Sequence, residues 1–475
     1  MHESRLPTLG PGDATDVVES KDAREYRRLL PIRGNGSRAD LIAVAAGLVL
    51  LAAAVVVGIS LRADGVPIHA PTAPLLGIWQ PHVGATTPVA CALAVLVVGW
   101  GPTLASRLRW RWLLVAAWAV SLAWIFSLAL VDGWARLAAR LPHDYLVALP
   151  TAPPWPELLR IYTDRIVGGQ PDSWTTHVAG HPPAALGFFS LLDRIGLSGG
   201  GWAAFVCMVL GSTAPVAVAV ALGCLDGEDV ARRALPFLVL APAALWIGVS
   251  ADALFLAVSA WGIALLAAAT RLRGPGGPAA AVGAGLLLGL SLYLSYGLAL
   301  LGVVALAVLA VGRRLRPLVI AGLAVVAVVL VFTLAGFHWW EGYDRLVVRY
   351  YQGWGAERPY SYWVWADLAA LLVCTGLAVP AALRRVLVVI GDAARTRTWP
   401  RPVLGTCAVV LATAAAVTAG TLSGLSKAEV ERIWLPYALW LVAACALLPA
   451  RTHRYWLALQ AVTALVVQHL VLTSW

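Results

Sequence analysis

Asp172-Ser-Trp-Thr-Thr-His-Val-Ala-Gly-His-Pro-Pro183 is where the chain stops reading as one apolar helix after another. It closes a polar segment, 132–182, the longest gap between strongly apolar stretches once the first apolar run has begun. Two histidines four apart, Gly180 and a Pro-Pro pair stand directly before the apolar run Ala184-Ala-Leu-Gly-Phe-Phe-Ser-Leu-Leu192. A bilayer span takes roughly 17–25 apolar residues. The stretch 183–197, opened by the prolines and followed by Gly199-Gly-Gly201, is shorter than that, so it reads as a re-entrant or oblique helix. The rest of the chain reads as scaffold holding this loop, and three shorter ones, on one face of a membrane.

Composition points the same way. Of the 475 residues 60% are apolar and 13% charged, against about 25% charged in soluble domains. The 22 tryptophans suit membrane interfaces. Cationic side chains are nearly all Arg, with Lys21 and Lys427 as the two lysines. The net charge of +10 sits largely in short loops between apolar runs, so it reports topology rather than nucleic-acid binding. Cys91, Cys207, Cys224, Cys374, Cys407 and Cys445 lie in or beside apolar runs without a CxxC or a Cys/His cluster, so neither a disulfide framework nor a thiolate metal site is indicated. Residues 1–40 are polar and of mixed charge; they read as a disordered cytoplasmic tail without a cleavable signal peptide.

Apolar stretches near 42–61, 87–104, 112–131, 201–224, 234–249, 251–270, 278–294, 296–312, 317–336, 363–383, 402–421, 433–450 and 455–474 make about thirteen expected spans in an all-α polytopic protein. With the N-terminal tail cytoplasmic, the basic clusters Arg107/Arg109/Arg111, Arg232/Arg233, Arg271/Arg273, Arg313/Arg314/Arg316, Arg384/Arg385 with Arg395/Arg397/Arg401, and Arg451/Arg454 all fall inside. That threading holds only if 183–197 does not cross. The outer face then receives 132–200 (loop and re-entrant segment), the Ser250-Ala-Asp252 turn, the loop 337–362 and the loop 423–432. No repeat of 20–50 residues and no matched broken helices of the transporter kind occur.

Several residues in those four segments can carry chemistry. Asp132 directly follows an apolar run and is either a base at the lipid boundary or a cap for a helix opening at Trp134. Asp144 supplies a second carboxylate in the same loop. His177 and His181 have the spacing of two imidazoles on one helix face, but the intervening Val-Ala-Gly lacks the glutamate of HExxH, so no zinc site is read there. His181 with the prolines instead fixes the turn into the membrane and faces a bound head group. Asp252, between two apolar runs, is either functional or a helix cap. The 337–362 loop mixes aromatics, Arg and acids, among them Arg358 and Tyr360; that suits a sugar phosphate or a plain interfacial belt. In 426–434, Glu429, Arg432 and either Lys427 or Glu431 would share a helix side, placing a fixed cation where a lipid-linked phosphate could sit, unless Glu-Arg pairs simply neutralise the helix entry.

In their order along the chain these residues resemble the GT-C superfamily of integral-membrane glycosyltransferases. The likeness covers roughly 112–440 and rests on four features: an acid after a span opening a large outer loop (Asp132), the turn His181-Pro182-Pro183 closing it, the Pro242…Ser250-Ala-Asp252 pattern, and Glu429-Val-Glu-Arg432-Ile-Trp434. The chain departs from the family in placing two spans before the loop and in lacking a second acid beside Asp132. The resemblance implies a GT-C-like domain over 41–475 in the cytoplasmic membrane. It also implies a polyprenyl-phosphate sugar as donor, a glycan or lipid acceptor, and transfer on the outer face. Asp132, then Asp144, would be the base, and His181, Arg432 and Lys427 would contact phosphate. Without a second adjacent acid, a divalent cation is not expected to be obligatory. The competing readings are a lipid or polyprenol-phosphate transporter and a non-catalytic scaffold of an envelope-assembly complex.

Overall fold

The computed structural model describes residues 36–473 except Val249 and Pro400, so of the tail expected over 1–40 residues 1–35 lie outside the described residues. The protein is 78% helical, an all-α polytopic architecture. Among the described residues eight helices are long and apolar enough to span a membrane, or ten if two sharply bent pairs each count as one span. The expected thirteen is not reached, and the reason is local. The apolar run 234–249 is broken at Leu240–Ala243 beside Pro242, giving helices Glu228–Val239 and Ala244–Ile247. The run 296–312 opens as a tight turn before its helix Leu301–Gly312. The runs 363–383 and 433–474 fold into the bent pairs, Tyr360–Thr375 with Val379–Thr396 at 103° and Leu435–Leu447 with Ala450–Leu470 at 111°. Apolar length measures the greasy stretch but not its break.

Helix Asp252–Ala269 forms the centre, with 78% of its apolar window buried, whereas Ser37–Ala63, Thr87–Arg107 and Leu315–Leu334 bury 17% each and face outward. Helices in lipid gain little from apolar burial and pack through small residues instead. Gly285, in Gly276–Leu294, shows this: a Cβ there would lie 2.3 Å from the Ala321 carbonyl oxygen of Leu315–Leu334. Four tryptophans, Trp124, Trp246, Trp363 and Trp440, are fully buried in the core rather than at an interface.

Two further findings adjust the sequence reading. The first helix begins at Gly36, because Asp40, read as the end of the tail, is buried in a fork of Arg384 and Arg385. Two short strands, Gly77–Trp79 and Val471–Thr473, pair antiparallel and tie the segment after the first span to the end of the last helix. The loop 132–200 is ordered as a chain of short helices: Trp134–Asp144, Trp155–Ile161, Thr176–Ala179 and Pro183–Arg194. The last has 12 residues, in keeping with a segment that does not cross.

Candidate functional site

The four segments expected on one face meet. Their centre is Arg432, in the short helix Val430–Ile433, whose Nη1 donates to Asp252 Oδ2 at 2.6 Å and whose Nη2 lies 3.4 Å from Glu429 Oε2. Arg358, from the second large loop, donates to Glu429 Oε1 at 3.0 Å and to the Lys427 carbonyl at 2.8 Å. Asp252 opens the central helix, so its carboxylate also sits at a helix N-terminus, where negative charge is favoured. The chain bends to make this possible. Ala428 and Glu429 both adopt left-handed backbone, φ +67° and +64°, a strained choice for residues other than glycine.

The first loop closes over this group. Asp144, buried at the end of helix Trp134–Asp144, lies 3.2 Å from His177 Nδ1 and 3.5 Å from Arg140 Nε. Helix Thr176–Ala179 ends at Gly180, since Pro182 offers no N–H to continue it, and the His181 ring turns back. Its Nδ1–H donates to the His177 carbonyl at 2.7 Å and stands 3.1 Å from the Tyr145 hydroxyl, so the bare lone pair of the neutral ring is on Nε2. Phe255, one turn into the central helix, packs beside this ring with centroids 5.3 Å apart.

Electrostatics link these parts. Burial raises the Asp144 carboxyl above its ordinary pKa; Arg140 and Arg432 hold it down in part, while the charges of Asp252 and Glu429 push it further up. His177 is lowered well below its ordinary value by burial and by the charges of Arg432, His181 and Arg140. His181 is lowered by burial, against the pull of Asp252. Both imidazoles are therefore neutral at pH 7. Burial alone would raise Glu429, but Arg358 and Arg432 outweigh it and its carboxyl titrates below the usual range. A neutral imidazole pair, one high-pKa carboxyl and an anchored guanidinium make a site able to accept a proton and to steady negative charge.

Some expected residues stand elsewhere. Asp132 binds His82 Nε2 at 2.8 Å and has Gln468 and Arg136 at 3.4 and 3.8 Å, a pairing at the other end of helix Trp134–Asp144 from Asp144. Asp132 and Asp144 flank opposite ends of one helix, about 18 Å apart at about 1.5 Å per residue. Lys427 does not share a helix side with Arg432, because the left-handed turn at 428–429 sends it away. Its ammonium is buried against the Gly355 and Arg358 carbonyls, with the Tyr351 ring 5.5 Å off. Glu431 points away too, accepting from Leu76 N–H at 2.9 Å. Tyr360 is a rim residue, donating to the Leu422 carbonyl at 3.1 Å. Among the described residues no group of three or more His, Cys, Asp or Glu has the geometry to hold a metal ion.

Two members were missed in the sequence. Arg140 carried a signal, its i,i+4 spacing from Asp144. Asp367, inside Tyr360–Thr375, is a lone acid in an apolar run; it is buried and accepts from Ala428 N–H at 3.0 Å, bracing the strained turn. No family model matches the chain, and no curated protein matches it either.

Proposed function

We propose that the protein is a membrane transferase of the GT-C kind, which moves a sugar from a polyprenyl-phosphate donor to an acceptor hydroxyl on the outer face of the cytoplasmic membrane. The observation that carries this is the gathering of Asp144, His177, His181, Asp252, Glu429 and Arg432, drawn from three segments 288 residues apart in sequence at their extremes, in one largely buried polar group. In this reading Asp144, not Asp132, is the base. The acceptor oxygen attacks the anomeric carbon, its proton passes to the Asp144 carboxylate, and the carbon–oxygen bond to phosphate breaks with both electrons leaving on polyprenyl phosphate. A base in hydrogen-bond reach contributes roughly a hundredfold or more to such a step. Arg140, with 26% of its side chain exposed, faces the leaving phosphate, and Arg432 supports the charge from behind.

The closed pairing of Arg432 with Asp252 and Glu429 also favours a second reading, a scaffold in which the same group only fastens the loops together. Purified protein in lipid, given a panel of labelled polyprenyl-phosphate sugars with envelope glycans and lipids as acceptors, separates the two. Transfer of label with release of polyprenyl phosphate supports the transferase. Retention of every donor intact supports the scaffold.

A further inference from the structure

At the other end of the central helix lies a second polar feature, independent of the site above. Asp252 begins that helix and Ala269 ends it, so the two ends are about 26 Å apart at about 1.5 Å per residue. A cavity of about 290 Å³ lies near the first loop, but a smaller one of about 230 Å³ opens at the far end, beside Ala269. Its rim holds Arg273, Arg314 and Arg316, all exposed and with no carboxylate in ion-pairing distance among the described residues. Two long helices, Gly276–Leu294 and Leu315–Leu334, begin at this cavity, so their positive ends and free N–H groups add to the three guanidinium charges. Below the rim the walls are apolar, with Leu272, Pro317 and Ile320. From there exposed apolar side chains run down both helices, Leu318, Val319 and Leu323 on one, Val282 and Leu286 on the other.

We propose that this cavity binds the phosphate of an anionic phospholipid. The arginines take the phosphate oxygens, and the acyl chains lie along the exposed stripe of Leu and Val. Arginine's fork matches phosphate oxygens, and basic pockets between membrane helices are suited to such head groups. The sequence reading puts this end on the cytoplasmic side, where the anionic leaflet is found.

The test is lipid retention. The full chain is purified from nanodiscs holding phosphatidylglycerol and phosphatidylcholine in equal amounts, and its bound lipid is counted by native mass spectrometry. The wild type is expected to retain phosphatidylglycerol over phosphatidylcholine by roughly tenfold. R273Q/R314Q/R316Q should bring that ratio close to one, R273K/R314K/R316K should keep most of it, and R107Q/R109Q/R111Q should leave it unchanged. Excess inorganic phosphate should not displace the lipid. Equal retention by the wild type, an unchanged ratio in the glutamine variant, or full displacement by free phosphate each overturns the proposal. The wild-type ratio and the lysine variant decide the matter even if the glutamine variant fails to fold.

Discussion

At the scale of single residues, Asp144 is the carboxylate that faces an imidazole of the His177–His181 pair. With Asp144 raised above the ordinary carboxylate range, the rate of transfer should fall on its acid side at a pH above the usual carboxylate value near ~4. A pH–rate profile checks this; an acid limb at or below that value would count against Asp144 as base. Arg432→Ala leaves the Asp252 carboxylate buried without its partner, at a cost of about 3–5 kcal/mol. Thermal unfolding in detergent should show the loss, and Arg432→Met with Asp252→Leu should recover much of it. Glu431 gives a pH effect of its own, since burial pushes its carboxyl up to about 7. Its proton is held more tightly folded than unfolded, so stability is full below about 4.5 and declines as pH climbs to about 7, by on the order of 3 kcal/mol. Glu431→Gln should flatten that slope. What the sequence revealed here was charge at the ends of apolar runs: Asp252, Glu429 and Arg432 stand out because ionic groups there are costly. It could not rank Asp144 over Asp132, because one helix turn after another carries them apart and only the folded chain says which end meets Arg432. The pairing of Asp132 with His82 was equally hidden, since 50 residues separate the two partners.

At the scale of elements, breaks in helices matter as much as their length. Gly376–Ala378 separates the two arms of the 103° bend, which leaves backbone groups without helical partners. Gln460, from the last helix, supplies them, accepting from Ala378 N–H at 3.2 Å and donating to the Thr375 carbonyl at 2.7 Å. Gly376 has φ +93°, and a Cβ there would lie 2.0 Å from Gln460 Oε1. Gly376→Ala is therefore strained twice over, and Gln460→Leu leaves two buried polar groups unmet, each at roughly 1–3 kcal/mol. Both variants should unfold at lower temperature than wild type in the same detergent; unchanged melting would mean the bend is held otherwise. The apolar runs on either side of this bend are plain in the sequence, but the bend is not, because a glycine is silent about which distant amide it admits. The turn at 428–429 is a similar case: Glu429 and Arg432 have helical spacing, yet helix begins only at Val430.

At the scale of the whole molecule, the arginine clusters gave a threading in which four loops share a face. Ion pairs among Asp252, Arg358, Glu429 and Arg432, with His181 against Phe255 and Gly168 N–H on Gln352, bring those loops together. The sequence pointed to that grouping through the placement of its cations, which orient loops across a membrane. It did not yield the number of spans, because counting apolar windows cannot see a helix that folds back. The threading places Val147, an exposed residue of the first loop, outside and Leu315, at the arginine-rimmed cavity, inside. In a background with the six native cysteines replaced, a cysteine at 147 should be labelled by an impermeant thiol reagent on intact cells, and one at 315 only after the membrane is opened; labelling of 315 on intact cells would invert or break the threading. The proposed chemistry resides at Asp144 and His177, within the field of Arg432. Its most direct test compares Asp144→Asn with Asp132→Asn in the polyprenyl-phosphate sugar transfer assay, both variants first shown to be folded. Asp144→Asn is expected to lose roughly a hundredfold or more in turnover while Asp132→Asn keeps most of it. Full turnover by Asp144→Asn, or loss confined to Asp132→Asn, would contradict the account.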